Sequence, residues 1–164
     1  MYTSWNYFYY ATYKLLSFLG EALIEKPLVY FFNSIPALKR NWNKGKKEYH
    51  MYMNSNEYGL NIGSAYRCMF FAALIIYASV CLLLVKVLGL EVGDAVYRYF
   101  IGVIFCSYVT NYYLLHRNDI YITYFKEFDQ AEHGPKVYYS ALVFHISVIA
   151  FGFLSVYFTI GFDL

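Results

Sequence analysis

The stretch MFFAALIIYASVCLLLV, Met69–Val85, runs for 17 positions without a charged residue. A helix rises about 1.5 Å per residue, so crossing a hydrocarbon layer of about 30 Å takes about 20 mostly apolar residues. Carried out to its polar borders, the stretch covers about 66–90. Lys86 falls near its end, where a long side chain reaches the headgroups. Two more stretches read the same way. One covers about 97–116, its apolar run Tyr99–Leu115 bounded by Arg98 and the pair His116-Arg117; the other covers 137–162, between Lys136 and Asp163, with His145 as its one strongly polar member. Three transmembrane helices are the expectation.

The rest of the composition agrees. Of 164 residues 60% are hydrophobic, 23% aromatic and 15% charged, and mean hydropathy is +0.37. Soluble domains carry about 25% charged residues. A free cytosolic globule, a basic nucleic-acid-binding domain and a disordered tail are therefore excluded, and a formal charge of +2 implies no nucleic-acid partner. Cys68, Cys81 and Cys106 show no CxxC spacing and fall in or beside apolar runs, so neither a disulfide framework nor a metal site is expected. The start Met1-Tyr2-Thr3-Ser4-Trp5 lacks the basic region of a signal peptide.

Twenty-one tyrosines are an excess that needs a place. Tyrosine prefers the membrane interface, where its ring is apolar and its hydroxyl wet. Tyr66 opens the first span, Tyr97 and Tyr99 open the second and Tyr112-Tyr113 close it. Tyr138-Tyr139 open the third, and Tyr157 lies near its exit. Orientation follows from the short-loop cations. Segment 39–67 carries Lys39, Arg40, Lys44, Lys46, Lys47 and Arg67, and loop 116–136 carries Arg117, Lys126 and Lys136. The turn 86–98 has only Lys86 and Arg98, and nothing basic follows 162. The basic segment is expected in the cytoplasm and the C-terminus outside, in an inner (plasma) membrane.

Residues 1–64 read as an amphipathic N-terminal module and 65–164 as the transmembrane domain. Between Asn6 and Glu25 the charges Lys14, Glu21 and Glu25 fall within one narrow helical stripe, and most other positions are apolar. Such a helix lies in the interface plane; the competing reading is a fourth span. Pro27 is expected to stop or restart it. Leu28–Leu38 is too short to cross and reads as surface-embedded or re-entrant. The cations Lys39, Arg40, Lys44, Lys46 and Lys47 suit anionic lipid headgroups, or serve only as the topology signal. Residues 48–64 read as a polar linker.

Small residues at helical spacing allow close helix contact in membranes. Ala65, Ala72 and Ser79 recur at intervals of seven, and so do His145, Gly152 and Thr159, with Ser155 alongside. A three-helix bundle leaves part of such stripes without a partner, which motivates a homo- or hetero-oligomer. In 117–135, Ile120, Tyr121, Tyr124, Phe125 and Phe128 recur near helical spacing. The second span is expected to continue as one long helix to about Gln130, turning back at Gly134-Pro135 as a cytoplasmic hairpin.

Chemistry is sparse. His145, Asn111 and Lys86 are the intramembrane polar side chains, and such a residue raises a functional hypothesis, although a histidine on a packing face also serves as a neutral interhelical hydrogen bonder. His116, Arg117, Asn118 and Asp119, with Glu127, Asp129 and Glu132, form the densest polar group, able to hold a divalent cation and a phosphate. No nucleotide-binding, metalloprotease, nucleophile-elbow or EF-hand signature occurs. The expectation is an all-α, polytopic helical membrane protein with membrane lipids around it and neither cofactor nor catalytic residue assigned. Its role is that of a subunit or scaffold of an oligomeric assembly, pore-forming among the options. The alternatives are a small channel or transporter lined by His145 and Asn111, and an enzyme acting at the His116–Glu132 face.

Overall fold

In the computed structural model, residues 2–55, 59–90, 96–131 and 134–161 are described, and all their regular structure is helical. Helix α1 (Tyr2–Gly20) leads through a π turn (Glu21–Glu25) into α2 (Lys26–Asn33). Pro27 neither stops nor breaks this path. It sits in the first turn of α2, and the carbonyl its ring would strike, that of Leu23, belongs to the widened π turn just before it. The chain turns instead at Ser34 and Ile35. Ile35 is extended (φ −121°, ψ 109°), as the residue before a proline must be, and Pro36 opens α3 (Pro36–Asn54). The basic run and the first part of the expected linker, residues 48–54, therefore share one helix.

Helix α4 (Leu60–Val87) and helix α7 (Lys136–Gly161) enclose the two longest apolar stretches. Leu60–Val87 and Lys136–Ile160 are each long and apolar enough to cross a membrane. Between them α5 (Val96–Asn111) is shorter, but its helical path continues through a second π turn, Tyr112–His116. It then stops. Asn118 (φ 59°) and Asp119 (φ 51°) are left-handed, and α6 (Ile120–Gln130) starts afresh. The expected uninterrupted helix to Gln130 is thus broken at these two residues, side chains that tolerate the left-handed region better than most.

α4 is the hub, packing against α7 and α5 along its length and against α1 near its start. The two small-residue stripes largely face each other within the one chain. Ala72 and Ser79 are buried, Ser155 is buried, and a Cβ added at Gly152 would approach Ile75 Cγ2 of α4 to 2.9 Å. The stripes therefore already have partners, and the expected oligomer loses the argument that motivated it.

α1 lies across the first halves of α4 and α7 and against α6. Its apolar face meets protein: Tyr9, Tyr10, Ala11 and Tyr13 join Met69, Leu115, Tyr121, Phe125, Val137 and Ala141 in the core. Its charged stripe is distributed among separate partners. Lys14 Nζ lies 2.6 Å from Asp129, the buried Glu25 pairs with His50 at 2.9 Å, and Glu21 reaches Lys26 at 3.8 Å. Away from this end the outer faces of α4, α5 and α7 are covered with exposed apolar side chains, among them Leu84, Ile101, Phe105, Ile146, Phe153 and Leu154.

Candidate functional site

A buried polar seam joins α1 to α5 and α7. Trp5 Nε1 donates to Asn111 Oδ1 at 3.3 Å, and Asn6 Nδ2 donates to the carbonyl of Leu114 at 2.8 Å. That carbonyl lies in the π turn, where the wider winding loosens the regular ladder and makes room for a side-chain donor. Asn111 Nδ2 donates to the carbonyl of Ser107 at 2.9 Å, and Ser107 Oγ to that of Val103 at 2.7 Å. Seven residues along α1 from Trp5, about two turns or 10 Å, Thr12 Oγ1 lies 2.9 Å from His145 Nε2 and 4.0 Å from Met69 Sδ.

His145 and Asn111 thus meet the same face of α1, each in a hydrogen bond that ties helices together. Lys86 does not join them: it sits in the last turn of α4, 17 positions beyond Met69, about 25 Å along the helix. The three do not line one path. Asn6, Trp5, Thr12 and Ser107 complete the seam without having been singled out by their sequence, because one polar residue in an aromatic helix carries no signal until its partner is known.

The proposed polar face at 116–132 does not assemble either. His116 is half-buried between Tyr66 (ring centroids 4.6 Å) and Tyr121 (5.3 Å). Arg117 is turned onto the ring of Tyr113, 5.2 Å from its centroid. Asn118 and Asp119 are exposed on the left-handed turn. Asp129 is held by Lys14 and accepts from Tyr10 Oη at 2.8 Å, Glu127 is exposed, and Glu132 lies outside the described residues. Among the described residues no group of three His, Cys, Asp or Glu side chains could hold a metal ion. On α3 the side chains of Lys39, Lys44, Lys46 and Lys47 are exposed; Arg40 belongs to the same helix, its side chain outside the described set. Trp42 stacks on Phe32 at 5.0 Å, which clasps α3 to α2.

Around the seam the tyrosines form a continuous cluster. Phe125 touches the rings of Tyr9 (5.2 Å), Tyr10 (5.2 Å) and Tyr13 (5.4 Å). Burial pushes the hydroxyls of Tyr9, Tyr10 and Tyr13 to ionise above their usual range, and at Tyr10 the Asp129 carboxylate adds to the effect. These groups stay neutral donors at any physiological pH. Tyr9 Oη donates to the carbonyl of Ile62 at 3.3 Å and Tyr13 Oη to that of Asn54 at 2.8 Å. The hydroxyls thereby stitch α1 to both ends of the connection between α3 and α4. What the arrangement supplies is cohesion, since each of these polar contacts ties one helix to another. No family model, curated protein or solved structure matches the chain.

Proposed function

We propose that this is an integral membrane protein that serves as a structural subunit. In this reading α4, the α5 path to His116, and α7 cross the bilayer as three spans, and α1–α3 with α6 form a platform at the cytoplasmic face. One observation carries it: the outer faces of α4, α5 and α7 are apolar, while hydroxyls of α5 and α7 turn back onto their own backbones. Ser107, Ser140, Ser155 and Thr159 each donate to the carbonyl four residues earlier, at 2.7–2.9 Å. That is how a helix hides hydroxyls where no water is available. In water, so large an exposed apolar surface would drive association.

The scaffold role is favoured over a conduit because His145 and Asn111 are both engaged by α1. The platform, with exposed Tyr30, Phe31, Met51 and Tyr52 beside the lysines of α3, suits a membrane surface or a membrane partner. Alkaline carbonate extraction of membranes from expressing cells, combined with a reporter fused after Leu164, tests the embedding. Retention in the pellet and a reporter active only outside the cytoplasm are expected; release into the supernatant would overturn the reading. Ion or solute flux through liposomes holding the purified chain, lost on His145→Ala, would replace the scaffold with a conduit.

A further inference from the structure

A cavity of about 480 Å³ opens between the start of α4, the end of α5 and α6. Five of its nine lining residues are tyrosines, Tyr9, Tyr66, Tyr108, Tyr112 and Tyr121, and a sixth ring is His116. The rings come from four helices and a π turn. Neighbouring pairs lie close: Tyr66–His116 at 4.6 Å, His116–Tyr121 at 5.3 Å, Tyr9–Tyr121 at 5.7 Å and Tyr108–Tyr112, nearly parallel, at 6.4 Å. The remaining walls, Gly59, Ile62 and Gly63, are the N-cap and first turn of α4 and bring no charged side chain. Among the described residues no Lys, Arg, Asp or Glu lines the cavity, and the adjacent cation, Arg117, is turned onto Tyr113 instead.

Aromatic rings present a negative face and attract a cation within about 6 Å of their centroids. Tyr9 and Tyr121 are buried behind the wall (1% and 5% exposed), so a guest meets the partly or fully exposed rings of Tyr66, Tyr108, Tyr112 and His116. An anion would meet rings, hydroxyls and the first turn of α4, with no side-chain cation among the described residues to hold it. A compact metal ion or a lysine-like ammonium would give up its strong hydration for an uncharged wall. A trimethylammonium group, weakly hydrated and apolar at its rim, loses least and gains most. A volume near 480 Å³ falls within the range of small-ligand sites, about 300–1,000 Å³.

We propose that this tyrosine cage binds a quaternary ammonium group of the choline type, carried by a lipid headgroup or by a free solute. The cage stands on its own geometry; only the lipid source rests on the membrane reading, which puts Tyr66 and Tyr112 at headgroup depth. The test is calorimetry on the full chain in maltoside detergent. Choline is titrated against its uncharged isostere 3,3-dimethyl-1-butanol, with sodium chloride as blank. Saturable choline binding is expected, with the isostere weaker by about tenfold or more, since only the charge differs.

Tyr108→Leu with Tyr112→Leu removes two exposed rings while keeping apolar bulk, and should weaken choline by about tenfold. Gly63→Leu should abolish binding without disturbing the fold, because a Cβ there meets nothing within 4 Å and the side chain grows along the cavity wall. Helical circular dichroism confirms that each variant is folded. Absence of saturable binding, equal binding of the isostere, or unchanged binding in the double variant would overturn the cage. Repeating the titration in nanodiscs separates the sources. Suppression in phosphatidylcholine discs but not in phosphatidylglycerol discs identifies a headgroup, and equal binding in both identifies a free solute. Neither arm depends on the scaffold role.

Discussion

The two ends of this helical bundle are held by different physics. At the end that contains α1 and α6, cohesion comes from rings and hydrogen bonds: Phe125, 1% exposed, sits among Tyr9, Tyr10, Tyr13 and Tyr121, and the polar seam pins α1 to the π turn and to α7. At the other end, among the described residues, no fourth helix lies over α4, α5 and α7. Contact there depends on close approach, with Gly152 against Ile75 and Ser79 and Tyr77 Oη sharing a 2.6 Å hydrogen bond with Thr110. The side chains turned outward there are mostly apolar, aliphatic and aromatic alike. The contrast teaches that a short apolar bundle can concentrate its specific interactions at one end and leave the other to shape and solvent.

The largest expected effect breaks the comparison at its stronger end. Phe125→Ala opens a cavity among four tyrosines and should cost about 3–5 kcal/mol. Phe153→Ala, at a side chain 73% exposed, should stay within about 0.5 kcal/mol. Denaturant titration in detergent, followed by circular dichroism, compares the two directly; similar losses would mean that the ends are not held differently.

An intermediate effect sharpens the weaker end. Gly152→Leu forces a branched side chain against Ile75 and should cost about 1–3 kcal/mol by overpacking. Because the contact lies within one chain, the size of the particle in mild detergent should not change. A shift in size without loss of stability would instead place Gly152 between chains.

The smallest effect concerns charge. Asp129→Asn removes the partner of Lys14, but both side chains are about a third exposed (34% and 40%). The loss should be about 0.2–1 kcal/mol and should shrink as salt is raised. A loss of several kcal/mol, unaffected by salt, would show that Asp129 acts mainly through its buried contact with Tyr10.

Much of the architecture was legible in the sequence, for identifiable reasons. The uncharged run Met69–Val85 and the run after Lys136 could only be long helices, since their length and apolar character leave few alternatives. Stripes at intervals of seven pointed to close helix contact at Ala72, Ser79 and Gly152, because that spacing repeats a helical face. Less legible was where those faces would go: periodicity shows that a face will pack, and says nothing of whether its partner is another chain or another helix of the same one. The π turns were not foreseen at all. One lies just before Pro27, and the other offers its Leu114 carbonyl to Asn6, a partner 108 positions away.

By itself, then, the sequence determined the all-helical class and the long apolar helices, because hydropathy and helical period are local properties. Only the tertiary structure decided that α1 lies across the bundle with its apolar face on protein, that His145 and Asn111 are bound to it while Lys86 stands apart, and that tyrosines scattered from position 9 to position 121 line one open cavity. Those outcomes rest on contacts between residues 50 to more than 130 positions apart, and no local pattern encodes a distance of that kind.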